Sequence, residues 1–121
     1  QAEQMPRPVL GRLIGPDGPV CDLARDVVLG RNPRIPAEHT GPMPQLVQIE
    51  DPRMEVSGQH ALVSLDFWRI LLTDLGSTNG TEVITPDGRR QRLLPNTPIV
   101  IEPGTLVVLA EIVELRLEAL A

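Results

Sequence analysis

HALVSLDFWRILLTDLGSTNG, residues 60–80, decides how the chain is read. Residues 60–66 alternate well enough for a β-strand, and residues 67–75 read as its partner. Gly76-Ser77-Thr78-Asn79-Gly80 then breaks the chain. Its Asn-Gly step is foremost a hairpin turn, because both residues accept positive φ.

The same rhythm extends in both directions. Upstream, residues 8–14, 19–24 and 26–30 read as three strands, the first two separated by the turn Gly15-Pro16-Asp17-Gly18. Asn32 to Gln48 carries four prolines and reads as a long exposed loop, of the kind that is usually functional or mobile in a compact domain. Leu46 to Glu50 is a further strand candidate. Downstream, residues 81–85 and 90–94 flank the hairpin signal Pro86-Asp87-Gly88, and residues 98–102 form a strand between two Pro-marked turns. The C-terminal stretch carries two patterns. Val113, Leu115 and Leu117 alternate with Glu114, Arg116 and Glu118 as in a strand, while Leu106, Leu109, Val113, Leu117 and Leu120 satisfy helical spacing.

Composition agrees with many short strands. Thirteen prolines and ten glycines in 121 residues break the chain too often for long helices. The length fits one domain that buries roughly two-thirds of its unfolded surface. Residues 1–7 read as a tail or linker end and residues 8–121 as the domain. Phe67 and Trp68 are the only aromatics, so the core must be aliphatic. About ten strands between turns imply an all-β sandwich of two sheets.

The net charge of −5 speaks against nucleic acid, whose binding needs a surplus of positive charge. An anionic ligand would have to be captured locally, by a few placed donors. All eleven basic residues are Arg, which suits bidentate oxyanion contacts and equally reflects a GC-rich, bacterial codon bias. Cys21 is the only cysteine, so no internal disulfide forms, as expected in a reducing compartment. No apolar run approaches the ~20 residues of a membrane span, and no leader pattern is present. The expectation is a cytoplasmic domain; with Gln1 as first residue it reads as a piece of a larger protein, through which alone it would meet a membrane.

Three motifs stand at predicted loops: Gly30-Arg31, Ser57-Gly58-Gln59-His60 and Gly76-Ser77-Thr78-Asn79-Gly80-Thr81. Each alone is weak. Their order within VVLGR, VSGQHALV and DLGSTNGT resembles the forkhead-associated (FHA) family over roughly residues 8–118. The resemblance implies an eleven-stranded, FHA/SMAD-like β-sandwich that binds phosphothreonine peptides with the loops at one end, and it resolves the C-terminal pattern as strand. It further implies that Arg31, Ser57 and Thr78 hold the phosphate and Asn79 the peptide backbone. Gly30, Gly58, His60 and Gly80 support the binding loops, His60 from behind the site. A small pocket for the γ-methyl group favours threonine over serine, a methyl being worth about 0.8 kcal/mol. The partners implied are phosphothreonine-containing proteins, Ser/Thr kinases or their substrates, with no cofactor and no catalysis.

The chemistry suits the assignment. A phosphothreonine brings about −1.5 to −2 charges and three acceptor oxygens, which call for a fixed cation and several donors. Two features depart from the family pattern. Gly58 stands where many members carry a basic or polar side chain, and the loop after Arg31 is long, with Arg34, Glu38, His39 and Gln45 as candidate contacts to flanking residues. Three rival readings exist. Ser57, His60 and Asp74 supply the residue types of a hydrolase triad, without the Gly-x-Ser-x-Gly elbow. His39, His60 and Cys21 are metal-ligand types without ligand spacing. The third is a phospho-independent interaction domain on the same sandwich.

Overall fold

The computed structural model describes residues 8–119 and contains eleven strands and no helix. The strands are β1 (Arg12–Gly15), β2 (Gly18–Asp22), β3 (Val27–Gly30), β4 (Gln45–Gln48), β5 (Ala61–Asp66) and β6 (Arg69–Asp74). They continue with β7 (Thr81–Ile84), β8 (Arg90–Arg92), β9 (Ile99–Ile101), β10 (Leu106–Leu109) and β11 (Val113–Glu118). One sheet has the order β2-β1-β11-β10-β7-β8 and the other β4-β3-β5-β6-β9. The tail assigned to residues 1–7 lies outside the described residues.

The alternation read at the C-terminus decides its structure. In β11, Leu115 and Leu117 face the core while Glu114, Arg116 and Glu118 face out, a period of two that a helix would scramble. Leu13, Val27, Leu29, Val63, Leu72 and Val107 join them between the sheets, and the core is wholly aliphatic. Its β-branched and leucine side chains fit the pleated surfaces they cover.

All ladders are antiparallel except β3 with β4, whose parallel register pairs Val28 with Leu46. Parallel neighbours need a connection that travels back along the sheet. The Pro-rich segment 31–44 is that connection, which explains its length. Val28 points away from the sandwich core, yet it is fully buried, as expected if this return crosses the outer face of the sheet. The segment read as one loop through Gln48 therefore ends at Pro44, and β4 starts one residue earlier than its sequence suggested.

The hairpin of β5 and β6 differs from expectation in its turn. Strand pairing stops at Asp66 with Arg69, so Phe67 and Trp68 form the turn rather than the start of the second strand. No Gly or Asn marks it. Phe67 adopts φ +58°, in the left-handed region, and the two rings stand 84% and 79% exposed at 6.0 Å centroid separation. A bulky residue there costs about 1–2 kcal/mol and gains little burial. We therefore expect Phe67→Gly to stabilise the domain by about 0.5–1 kcal/mol, raising Tm by a few degrees in a thermal melt. A lowered Tm would show that the aromatic pair contributes more than the backbone loses.

Candidate functional site

β3 ends, and β5 and β7 begin, at the same edge of the sandwich. Three segments meet there: the end of β3 with Arg31, the loop 49–60 and the loop 75–80. Backbone bonds join the first two. Arg31 N–H donates to the Ser57 carbonyl and Asn32 N–H to that of Gly58, both at 3.0 Å. The approach is close enough that a Cβ on Gly30 would lie 2.0 Å from the Gly58 carbonyl oxygen, so only glycine fits. Gly58 contributes through its backbone: a Cβ at its own position would meet nothing within 4 Å.

His60 ties the second loop to the third. It is fully buried, and Ser57 N–H donates to its Nδ1 at 3.0 Å while its Nε2 lies 2.8 Å from the Gly80 carbonyl oxygen. An N–H can only donate and a carbonyl can only accept, so the ring is neutral and carries its proton on Nε2. Burial pushes its pKa below the ordinary imidazole value, outweighing the Gly80 bond and the charge of Asp74, which favour protonation.

Two carboxylates shape the loops. Asp74 is 2% exposed. It accepts the Ser77 and Thr81 hydroxyls on Oδ1 at 2.5 and 2.6 Å, and the Gly76 and Ser77 N–H groups on Oδ2 at 3.0 Å each. Burial opposes its ionisation, yet the hydroxyls of Ser77 and Thr81 and the two N–H groups outweigh burial and hold its pKa below the ordinary carboxylate value. Asp51 does the same for the other loop, accepting N–H from Glu55 at 2.6 Å, Val56 at 2.8 Å and Arg53 at 3.1 Å. The Val56 bond is the largest cause of its lowered pKa, and the charge of Arg31 adds to it.

The four residues singled out from sequence for ligand contact are brought together. Thr78 N–H donates to Ser57 Oγ at 3.0 Å, which leaves the Ser57 hydroxyl hydrogen for another acceptor. Asn79 Nδ2 donates to the Glu55 carbonyl at 2.8 Å, leaving one amide hydrogen and Oδ1. Arg31 Nε donates to the Val56 carbonyl, and its two Nη groups make no hydrogen bond or ion pair among the described residues. The edge thus offers a guanidinium and two hydroxyls, those of Ser57 and Thr78, on loops fixed to one another.

Two of the long loop's candidate contacts, His39 and Gln45, lie away from this edge. His39 lies beside Asp26 and Leu65, and Gln45 Nε2 donates to the Asp22 carbonyl at 2.8 Å. Both are at the opposite end of β3, so neither reaches this edge. The triad types do not form a triad: both His60 nitrogens serve backbone groups of Ser57 and Gly80, and Asp74 serves its own loop. Nor are His39, His60 and Cys21 assembled. No three His, Cys, Asp or Glu side chains among the described residues are placed to hold a metal ion. Burial, with help from the charge of Asp22, pushes the Cys21 thiol up to about 11, away from the thiolate a metal would require.

Sequence reasoning missed Asp51 and weighed Asp74 only within a rival triad reading. Their signal is local: an Asp two or three residues before N–H groups that a turn leaves unpaired, here Asp51-Pro52-Arg53 and Asp74-Leu75-Gly76-Ser77. It also passed over Arg92, whose Nη2 lies 3.4 Å from the Asn79 carbonyl oxygen.

Among solved structures, an FHA domain of an Arabidopsis thaliana hypothetical protein superposes with a TM-score of 0.66 at 19% identity, covering 97% of this chain and 90% of that one. The FHA domain of human APLF, solved with an XRCC1 bisphospho peptide, gives 0.67 at 22% identity, covering 91% and 98%. The FHA domain of CT664 from Chlamydia trachomatis gives 0.67 at 20% identity, covering 92% and 98%. Comparison with curated protein sequences returns no match. No helix among the described residues is long and apolar enough to cross a membrane. The sequence profile of the FHA domain matches residues 11–110, most of the chain, and with the sandwich and its three tied loops this places the protein in the FHA-domain family.

Proposed function

We propose that the domain docks phosphothreonine-containing protein segments at the edge formed by Arg31, Ser57 and Thr78, with Asn79 holding the peptide backbone. The reading rests on one observation above all: the Ser57 hydroxyl is anchored as an acceptor by Thr78 N–H, beside an arginine held through Nε alone. A phosphate dianion needs such a cluster of cation and hydroxyl donors. Gly30, Gly58, His60 and Gly80 serve it by fixing the loops. In this reading the domain performs no chemistry of its own; it recruits or regulates its parent protein in Ser/Thr kinase signalling in the cytoplasm. The human APLF domain, solved with a phosphopeptide, supports it by likeness of fold.

Three experiments test it. Arg31→Ala should weaken binding of a phosphothreonine peptide by on the order of 100-fold, since charge-assisted bonds are worth about 1.5–3 kcal/mol each, while the fold stays intact. Equal binding by the unphosphorylated peptide would instead favour a phospho-independent interaction domain.

Gly58→Arg should bind about two- to fivefold more tightly, because the side chain enters open space beside the site and adds a cation. Unchanged affinity would place that position away from the phosphate.

The third concerns pH. The folded-state pKa of His60 lies below the unfolded value near 6.5, so the unfolded chain takes up a proton first. The stability it contributes is complete above about pH 6.5 and declines as pH falls below it. Asp51 and Asp74, lowered from 3.8, surrender theirs only in more acid solution. Urea midpoints without ligand should therefore drop between pH 6.5 and 5 in the wild type. His60→Gln should be less stable at pH 7 and lack that drop; an equal drop in the variant would assign it to other groups. Peptide binding should weaken further as the phosphate's second pKa near ~6 is crossed.

A further inference from the structure

Gly80 adopts φ +87°, and a Cβ there would lie 2.2 Å from Nη2 of Arg92. The missing side chain leaves room for the Arg92 guanidinium to lie on the Thr78-Asn79-Gly80 turn, where it approaches the Asn79 carbonyl at 3.4 Å. Arg92 sits on β8, the edge strand of its sheet, and its side chain is 54% exposed.

Its counter-charges are loose. Oε2 of Glu82 and Oε2 of Glu111 each stand 4.0 Å away, at the outer limit of an ion pair. Glu82 is already engaged through its other oxygen by Arg90 at 2.6 Å. Glu111 is carried on a turn in which Ala110 and Glu111 both take left-handed backbone, φ +54° and +63°. That conformation costs free energy in non-glycine residues. The turn is fastened to the site, since Ala110 N–H donates to the Gly80 carbonyl at 2.9 Å.

We infer that Arg92 is a specificity-determining residue of this site, selecting phosphothreonine segments that carry an anionic side chain, carboxylate or second phosphate, next to the stretch held by Asn79. The inference rests on the phosphothreonine reading above. Glu111 is the resident counter-charge with which the incoming anion competes. A guanidinium already lying on the turn loses little freedom on pairing and presents a planar fork to either oxyanion. Arg31 answers the phosphothreonine itself; Arg92 answers its neighbour.

The probe is a phosphothreonine peptide in an alanine background, with a single glutamate, and separately a single phosphoserine, walked through each flanking position. Titrated against the wild type, one position should bind about two- to fivefold tighter with glutamate than with alanine. A larger gain with phosphoserine there identifies a second phosphate as the preferred anion, and an equal gain a carboxylate. Arg92→Gln should level the series, so that acid-bearing and alanine peptides bind alike. Arg90→Gln, on the same strand, should keep the preference, and Glu111→Gln should enlarge it. A preference that survives Arg92→Gln, or a wild type that binds the alanine peptide without any positional preference, overturns the inference alone. A wild type that binds no phosphopeptide overturns the phosphothreonine reading and this inference with it.

Discussion

One buried imidazole holds the binding edge together. His60 receives a hydrogen bond from the loop that carries Ser57 and gives one to the loop that ends at Gly80. The two bonds have opposite polarity, so only the neutral ring with its proton on Nε2 satisfies both. Burial enforces that state by disfavouring the charged ring. The bond to Gly80 reaches further, because the same carbonyl also accepts the N–H of Ala110. Leave the imidazole out, and a buried N–H loses its partner at a cost of about 1–3 kcal/mol. Ile49 and Val56 anchor loop 49–60 in the core, and polar bonds of this sort fix the rest of the two loops.

Carboxylates inside each loop extend the same logic. Asp74 gathers four donors from the seven residues that follow it, and Asp51 gathers three backbone N–H groups from the next five. Each charge is satisfied chiefly by hydrogen bonds, with the charge of Arg31 adding to them at Asp51, and these lower its pKa, in the case of Asp74 despite burial. Loops ordered before a ligand arrives do not charge their ordering entropy to binding. The site is therefore preorganised by anions, although its proposed ligand is one.

Much of this was legible before the structure. The period-two alternation of residues 60–66 and 113–118 gives strands, and the three motifs give the edge at which the loops meet. What escaped has physical causes. The turn at Phe67 and Trp68 lacks the residues that normally signal one, because a strained backbone took their place. The parallel pairing of β3 and β4 is invisible to alternation, which reports the faces of a strand and not its direction. His39 and Gln45 were drawn to the site by nearness in sequence to Arg31, but a connection between parallel strands must carry its far end to the other edge of the sheet. The structural role of Asp74 is hidden because residue type suggests only the rival triad, whereas its neighbours three and seven residues on already exhaust one of its oxygens.

A domain of net charge −5 is an unlikely trap for a dianion if charge acts at long range. It does not. At physiological salt the Debye length is about 8 Å, so carboxylates elsewhere on the sandwich contribute little at the binding edge. What counts there is the short-range inventory, in which the carboxylates that shape the loops are already bonded. Asp74 and Asp51 are saturated by N–H and hydroxyl donors, and Glu82 is engaged by Arg90. Among the described residues Arg31 forms no ion pair, although its charge reaches Asp51, and the carboxylates nearest to Arg92 stand 4.0 Å away. In the proposed reading, anion capture at this edge relies on Arg31 and Arg92 placed on loops that hydrogen bonds already order, and a basic surface is not required.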